Sequence, residues 1–223
     1  MNWTPASAGV ANLKNWMNQG AIVRVILVAN PKGGSGKSTL SINLAGYLAS
    51  TGKRVALLDL DRQKSATQWL AMRDGGLPDI ALLREGQKGS SDWLVIDSPA
   101  GLHGKNLERA LKLAHKVVVP IAPSLFDIRA SQEFLAALHA EKAVRKAHAF
   151  VGVVGMRVDP RTRAGVTLEQ FMEQQDLPVL AHLRTTQHYV NAAFEGKSLF
   201  DLPHHIAERD IEQWQGLIGW LDR

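Results

Sequence analysis

The sequence predicts a doubly wound α/β fold, a mostly parallel sheet with helices on both faces, and three observations carry that expectation. From residue 22 onward, short apolar runs alternate with longer stretches of helical spacing. The short runs are rich in Val, Ile and Leu without polar alternation, as strands buried on both faces require. A glycine-rich loop, Lys32-Gly33-Gly34-Ser35-Gly36-Lys37-Ser38-Thr39, separates the first apolar run from the first helical stretch. Strands are expected at 22–29, 54–58, 93–97, 117–121, 150–156 and 178–183. Helices are expected at 38–50, 65–73, 104–114, 127–146, 164–175 and 204–221. In such a sheet, ligands bind outside the carboxyl ends of the strands.

Residues 1–20 read as an N-terminal extension. Ser7 is placed to cap a helix with Val10, Leu13, Trp16 and Met17 on one face and Gly20 at its end. That face suits either core packing or a partner. Residues 21–223 read as a single domain, large enough for a sizeable core.

Composition narrows the class. Hydrophobic residues make up 45%, ordinary for a globular chain. No apolar run approaches the ~20 residues a spanning helix needs, and no basic flank precedes an apolar core as in a signal peptide. Cysteine is absent, which excludes disulfides and thiolate metal sites and fits a cytoplasmic location. The net charge of +5 and the pI of about 9.6 permit an acidic partner such as DNA without establishing one.

The loop at 32–39 has the context a phosphate-binding loop needs. A strand delivers it, glycines let N–H groups curl around phosphate oxygens, and the next helix aims its positive end at them. Lys37 has the reach for β- and γ-phosphates, and the Ser38 hydroxyl can ligate Mg²⁺. After the second strand come Asp59-Leu60-Asp61-Arg62-Gln63. Asp61 would emerge near the γ-phosphate, where a carboxylate orients water or enters the metal shell. For Asp59 a structural role in the turn is the better reading. Asp92 to Asp97 is an apolar strand ending in a carboxylate, suited to holding Mg²⁺. Ser98-Pro99-Ala100-Gly101 follows. An Asn-Lys-x-Asp segment of the guanine-binding kind is absent, which points to adenine and thus to ATP.

Pro31 stands where the usual loop has Gly, and a second lysine, Lys32, stands at the entrance. This loop resembles the deviant Walker A loop of the ParA/MinD family of ATPases, and residues 92–97 resemble its Walker B strand. Asp61 matches the second Asp of the family's Asp-x-Asp-Pro-Gln segment, with Arg62 in place of Pro. The resemblance runs over about residues 22–200, closest to small ParA-type partition proteins. It implies an ATP- and Mg²⁺-dependent homodimer in which Lys32 reaches the partner's nucleotide. It also implies slow ATP hydrolysis needing Asp61, stimulated by a ParB-like or cargo-adaptor protein. The stretch Gly155 to Arg161 matches the family's adenine-enclosing loop, making Met156, Arg157 and Asp159 candidate contacts; Arg157 and Asp159 serve equally as loop charges. The stretch between Arg73 and Asp92 looks short, as if one peripheral element were trimmed.

The resemblance further implies nonspecific DNA binding, and with it a nucleoid-associated protein in plasmid or chromosome partition or cargo positioning. Arg184 matches a family position for this. Lys105, Arg109, Lys112 and Lys116 recur at spacings that set them near one helical face, and Lys142, Arg145 and Lys146 cluster at another helix end. Such residues equally form solvated faces. Iron–sulfur relatives are excluded by the missing cysteines, and a tyrosine-kinase relative by having only Tyr47 and Tyr189. A MinD-like positioning ATPase on a membrane or scaffold is an alternative. The last helix, with Ile206, Ile211, Trp214, Leu217, Ile218 and Leu221, is amphipathic, but its polar face is not Lys/Arg-rich, which favours core packing. A metabolic P-loop ligase is a third reading, disfavoured by Lys32 and Asp61.

Overall fold

Seven strands form one all-parallel sheet in a computed structural model that describes residues 24–84 and 91–223. The helix expected within residues 1–20 lies outside the described residues. The elements are β1 (Arg24–Val28), α1 (Lys37–Ser50), β2 (Val55–Asp59), α2 (Ser65–Ala71), β3 (Ile80–Leu82) and β4 (Trp93–Asp97). Next come α3 (Gly104–Leu111), β5 (Lys116–Ile121), α4 (Leu125–Ala140), α5 (Lys142–Arg145), β6 (Phe150–Met156) and α6 (Arg163–Glu173). The chain ends with β7 (Val179–Leu183), α7 (Gln187–Phe194), a 3-10 turn (Leu199–Asp201), α8 (His204–Glu212) and α9 (Gln215–Leu221).

The strand order is β3-β2-β4-β1-β5-β6-β7. The connections therefore diverge from β1, which lies between β4 and β5. This switch point opens a crevice at the carboxyl end of β1, where an α/β sheet takes its ligand. Alternate strand residues feed two cores. Val25 and Leu27 pack with Leu107, Leu111, Phe134, Leu135, Leu168 and Phe171 of α3, α4 and α6. Ile26 and Val28 pack with Leu40, Leu44, Trp69, Ala207 and Leu217 of α1, α2, α8 and α9 and with Trp214 between the last two helices. The expected doubly wound fold, with helices on both faces, is the observed one.

Three local expectations need correction. The single helix expected at 204–221 is two helices, broken at Gln213–Trp214. The break turns Trp214 fully into the core, where its indole N–H donates to the Tyr189 hydroxyl at 2.8 Å. Gly216 then lets α9 lie on β7, since a Cβ there would stand 2.4 Å from the Leu180 carbonyl oxygen. The helix expected at 127–146 is also two, with Glu141 extended between α4 and α5. Lys116 does not share a helix with Lys105, Arg109 and Lys112, because α3 ends at Leu111 and Lys116 opens β5. Its ammonium lies over the Trp220 ring and donates to the Trp220 carbonyl. Three elements were not foreseen, the three-residue edge strand β3, helix α7 and the 3-10 turn at Leu199–Asp201. No helix among the described residues is long and apolar enough to cross a membrane.

Candidate nucleotide site

The glycine-rich loop leaves β1 at the switch point and is fastened there by side chains and backbone. Asn30, fully buried, donates to the Pro120 carbonyl at 2.8 Å and to the Ser131 hydroxyl at 3.0 Å. Its own amide oxygen accepts from Lys32 N–H at 2.8 Å. Gly101 N–H donates to the Pro31 carbonyl at 2.9 Å, which draws the segment after β4 onto the loop. Gly34 and Gly36 have φ of 76° and 98°, the left-handed region that L side chains avoid. At Gly36 space is short as well, since a Cβ would stand 2.7 Å from Met156 Cε. The helix α1 starts at Lys37 with no acidic residue in its first turn, so its positive end faces the loop unopposed.

Two charges are buried at this crevice. Lys37 is 6% exposed, and its ammonium donates to the Lys32 carbonyl at 2.8 Å. Burial lowers its pKa, while the charges of Asp97 and Asp61 work in the opposite direction. Asp97 ends β4 in register with Val28 on one side and Asp59 on the other. Burial pushes its carboxyl up to about 6, with the nearby hydroxyls of Ser38 and Ser41 working against the rise and the charge of Asp59 adding to it. Asp97 Oδ1 accepts from the Ser41 hydroxyl at 3.1 Å, but buried Oδ2 has no hydrogen-bond partner among the described residues. An orphaned carboxylate oxygen beside the Ser38 hydroxyl is a donor set that suits a hard divalent cation. Among the described residues no group of three or more His, Asp or Glu gathers to hold a metal. A cation here would complete its shell with phosphate oxygens or water, as Mg²⁺ does.

The loop after β2 separates its two carboxylates by task. Asp59 Oδ1 accepts from Asp61 N–H at 3.0 Å, and Oδ2 accepts from Thr67 N–H at 2.9 Å and its hydroxyl at 3.0 Å. Asp59 thus ties the loop to the start of α2. Among the described residues the Asp61 carboxylate accepts only from Gln63 N–H, at 2.9 Å through Oδ1, and the residue is partly exposed. Lys64, held at φ 55°, donates to the Asp59 carbonyl at 2.6 Å and closes the turn.

The remaining candidates fall in different places. Gly33 and Gly34 are exposed at the loop tip, Ser35 is buried with its hydroxyl on the Lys32 carbonyl, and Ser38 and Thr39 lie half-buried in the first turn of α1. The Lys32 ammonium has no ion pair or hydrogen bond among the described residues. Met156 is buried beneath Gly36 and supports the loop from below. Arg157 reaches over the loop to donate to the Gly34 carbonyl at 2.9 Å, from a backbone at φ 54°. Asp159 accepts a two-pronged hydrogen bond from Arg161, which holds its carboxyl down at about 2. Arg184 faces inward to buried Asp210 at 2.5 Å, beside His188 on the same carboxylate at 2.6 Å. Lys105, Arg109, Lys112, Lys142 and Arg145 are exposed, on α3 and α5 and just beyond α3; α3 runs back from the carboxyl to the amino ends of the strands, so Lys105 lies at the crevice end and Lys112, Lys142 and Arg145 at the opposite one. Sequence reasoning missed Asn30, Ser41 and the Arg157–Gly34 bridge. Asn30, directly after an apolar strand and before the loop, was the one with a local signal.

Strand, glycine loop, helix N-terminus, buried lysine and strand-end aspartate together define a P-loop nucleotide-binding protein. Residues 26–200 match the model of the CobQ/CobB/MinD/ParA nucleotide binding domain, and the chain belongs to that family. It is 31% identical over 212 residues to the maintenance of carboxysome distribution protein A of Gloeobacter kilaueensis, covering 90% of this chain and 94% of that one. Over 161 residues it is 34% identical to the chromosome-partitioning ATPase Soj of Thermus thermophilus, covering 55% and 64%. In fold it is similar to the crystal structure of a plasmid partition protein from Borrelia burgdorferi bound to AMPPNP. That match has a TM-score of 0.67 at 19% identity and covers 88% of this chain and 98% of the other.

Proposed function

We infer that this chain is an ATP-dependent dimerising switch that binds DNA without sequence preference and partitions DNA or positions a cargo. The observation that carries the reading is the buried pair at the loop, Lys37 with its ammonium turned to the loop backbone and Asp97 with one carboxylate oxygen unpartnered among the described residues. Both groups pay for burial with nothing in the fold to offset it fully, which is the state of a site built for an anion and a cation together. Asp97 and Ser38 would hold Mg²⁺, whose chemistry is to neutralise charge on the β- and γ-phosphates. Gly33 through Thr39 present N–H groups to phosphate oxygens, and Lys37 offers its ammonium to them. Asp61, free on one oxygen, orients the attacking water. Lys32, at the loop entrance, is the residue for the partner's nucleotide. Met156 shapes the crevice wall, while Arg157 and Asp159 lie on the loop that borders a base.

The relatives named above for chromosome partition and carboxysome distribution support the positioning role. A ParB-like or adaptor protein would set the timing of hydrolysis, and the nucleoid would be the track. The membrane alternative has weaker support, because Trp214, Leu217 and Leu221 are already buried in the core.

Asp61→Ala tests the switch. ATP turnover should fall by about 10²-fold or more, the size expected for a lost positioning carboxylate, with ATP-dependent dimers accumulating in sedimentation. Rapid turnover in this variant would remove Asp61 from the role.

A further inference from the structure

The positive charge of this chain is concentrated. Segments 104–112 and 141–148 carry Lys105, Arg109, Lys112, Lys142, Arg145 and Lys146 against the carboxylates Glu108 and Glu141, a formal +4 in a chain whose total is +5. They are distant in sequence, and the fold joins them. Helix α3 packs against α5, and Leu107, Leu111, Ala143 and Val144 meet in one core. All six cationic residues are exposed, and among them only Lys112 has an ion partner within the described residues, Glu108 at 2.6 Å. Helix-end electrostatics accounts for part of the group, since Arg109, Lys142 and Arg145 lie in last turns, but not for Lys105 at the start of α3.

The position of this surface matters. Lys112 leads into β5 and Lys146 into β6, whose first residues Lys116 and Phe150 are paired neighbours. The part of the surface formed by Lys112, Lys142, Arg145 and Lys146 therefore lies at the amino ends of the strands, with Lys105 its member nearest the loop, whereas the loop, Asp61 and Asp97 occupy the carboxyl ends. Seven-residue β6 sets the two ends about 20 Å apart.

We propose that this α3–α5 surface is the seat for the phosphate backbone of duplex DNA, complete in each subunit at the end remote from its nucleotide. The proposal rests on the DNA-binding switch inferred above. Long, flexible cations on an exposed face suit phosphates and give no sequence preference. Subunits joined at their P-loops turn these surfaces away from each other. One dimer then holds two separate stretches of DNA. ATP strengthens binding through bivalency and does not complete a site.

The test uses the full chain and the triple variant K142E/R145E/K146E, with K142R/R145K/K146R as the charge-preserving partner. Fluorescence anisotropy on a random-sequence duplex is read with ATP and with ADP across a salt series, alongside sedimentation and ATP turnover. Wild type should bind weakly with ADP and more tightly with ATP. The reversal variant should lose at least about tenfold in affinity and flatten the log–log salt slope by about 3, one for each phosphate contact removed. Dimerisation and basal turnover should persist, and the charge-preserving variant should bind as wild type does. Beads carrying one duplex should capture a second, labelled duplex only with the ATP-bound protein. If wild type binds DNA and the reversal variant matches it, the surface is elsewhere and the DNA reading stands. If wild type binds no DNA in any nucleotide state, the switch-on-DNA reading itself fails. Binding to phosphatidylserine–phosphatidylcholine vesicles with none to DNA would overturn the proposal in favour of a membrane. An ATP dimer that binds DNA but captures no second duplex would overturn the outward-facing arrangement.

Discussion

Buried charge is treated in opposite ways at the nucleotide loop and at the segment that closes the fold. In the closing segment, Arg73 and Asp201 are nearly inaccessible, at 4% and 1% of their side chains, and pair twice, at 2.8 and 2.9 Å. Ser198 adds its N–H and hydroxyl to the same carboxylate, and Arg184 and His188 share Asp210 in the same manner. At the loop, among the described residues, Asp97 keeps one oxygen without a partner and the Lys37 ammonium has only a backbone carbonyl. The closing segment spends its charge on the fold, binding α2 to the chain beyond α7. On the function proposed, the loop holds its charge in reserve for a ligand. A buried ion is costly unless paired, so a site that leaves ions half-paired gives up stability for binding capacity.

Variants can break or sharpen this contrast. The largest effect is expected from Asp201→Ala, which strands the Arg73 guanidinium in the core. Unfolding in urea should show a loss of about 3–5 kcal/mol, the usual cost of removing one partner of a buried pair. The same carboxylate predicts a pH dependence. Burial raises its pKa, but hydrogen bonds from Arg73 and Ser198 bring it below the ordinary value. A carboxyl depressed in the folded state stabilises fully above the unfolded value of about 3.9 and loses that contribution as pH falls through the folded one. The gap between wild type and Asp201→Asn should therefore narrow in acid, and a constant gap down to the lowest accessible pH would refute the assignment.

Lys37→Ala comes next in size and reverses the pattern. ATP turnover should fall by about 10²–10³-fold, as when one charge-stabilising donor is removed, while the urea midpoint stays near that of wild type. Gly36→Ala should cost about 1–3 kcal/mol, because it strains a left-handed residue and drives a methyl against Met156. Nucleotide titration should show weakened affinity in parallel. The smallest change in stability belongs to Asp97→Asn. A neutral amide relieves a poorly paired buried charge, so thermal unfolding should be unchanged or improved by about 1 kcal/mol, with the Mg²⁺ dependence of ATP binding lost. A strongly destabilised Asp97→Asn would mean that the two regions do not differ in the way argued.

Legibility followed the distance over which each feature is determined. The loop at 32–39, the strand ending at Asp97 and the Asp59–Asp61 turn are short segments whose glycines, apolar runs and carboxylates carry their own geometry. Their positions came within a residue or two of expectation. Arg184 shows the other case. As a sequence position it resembles an exposed cation, but the fold turns it toward Asp210, and nothing near residue 184 announces a carboxylate 26 positions away. Lys116 was misplaced for a related reason, since a four-three-four spacing of cations continues past the point where α3 stops. Edge strand β3 is three residues long and pairs with β2 alone, so its sequence signal is weak.

The amino-acid sequence by itself determined the parallel α/β architecture, the loop and the carboxylates that follow the strands. Strand burial, helix periodicity and glycine conformation are local consequences of residue type, and chain order places the strand ends together once the sheet is parallel. Only the tertiary structure decided where the last helix breaks, which cations are spent on Asp201 and Asp210, and that α3 and α5 bring two remote basic segments onto one surface. Those outcomes depend on which side chains meet after packing. Trp214 is turned inward onto the Phe200 ring and the Tyr189 hydroxyl, and the exposed cations of α3 and α5 become neighbours because the apolar residues behind them share a core.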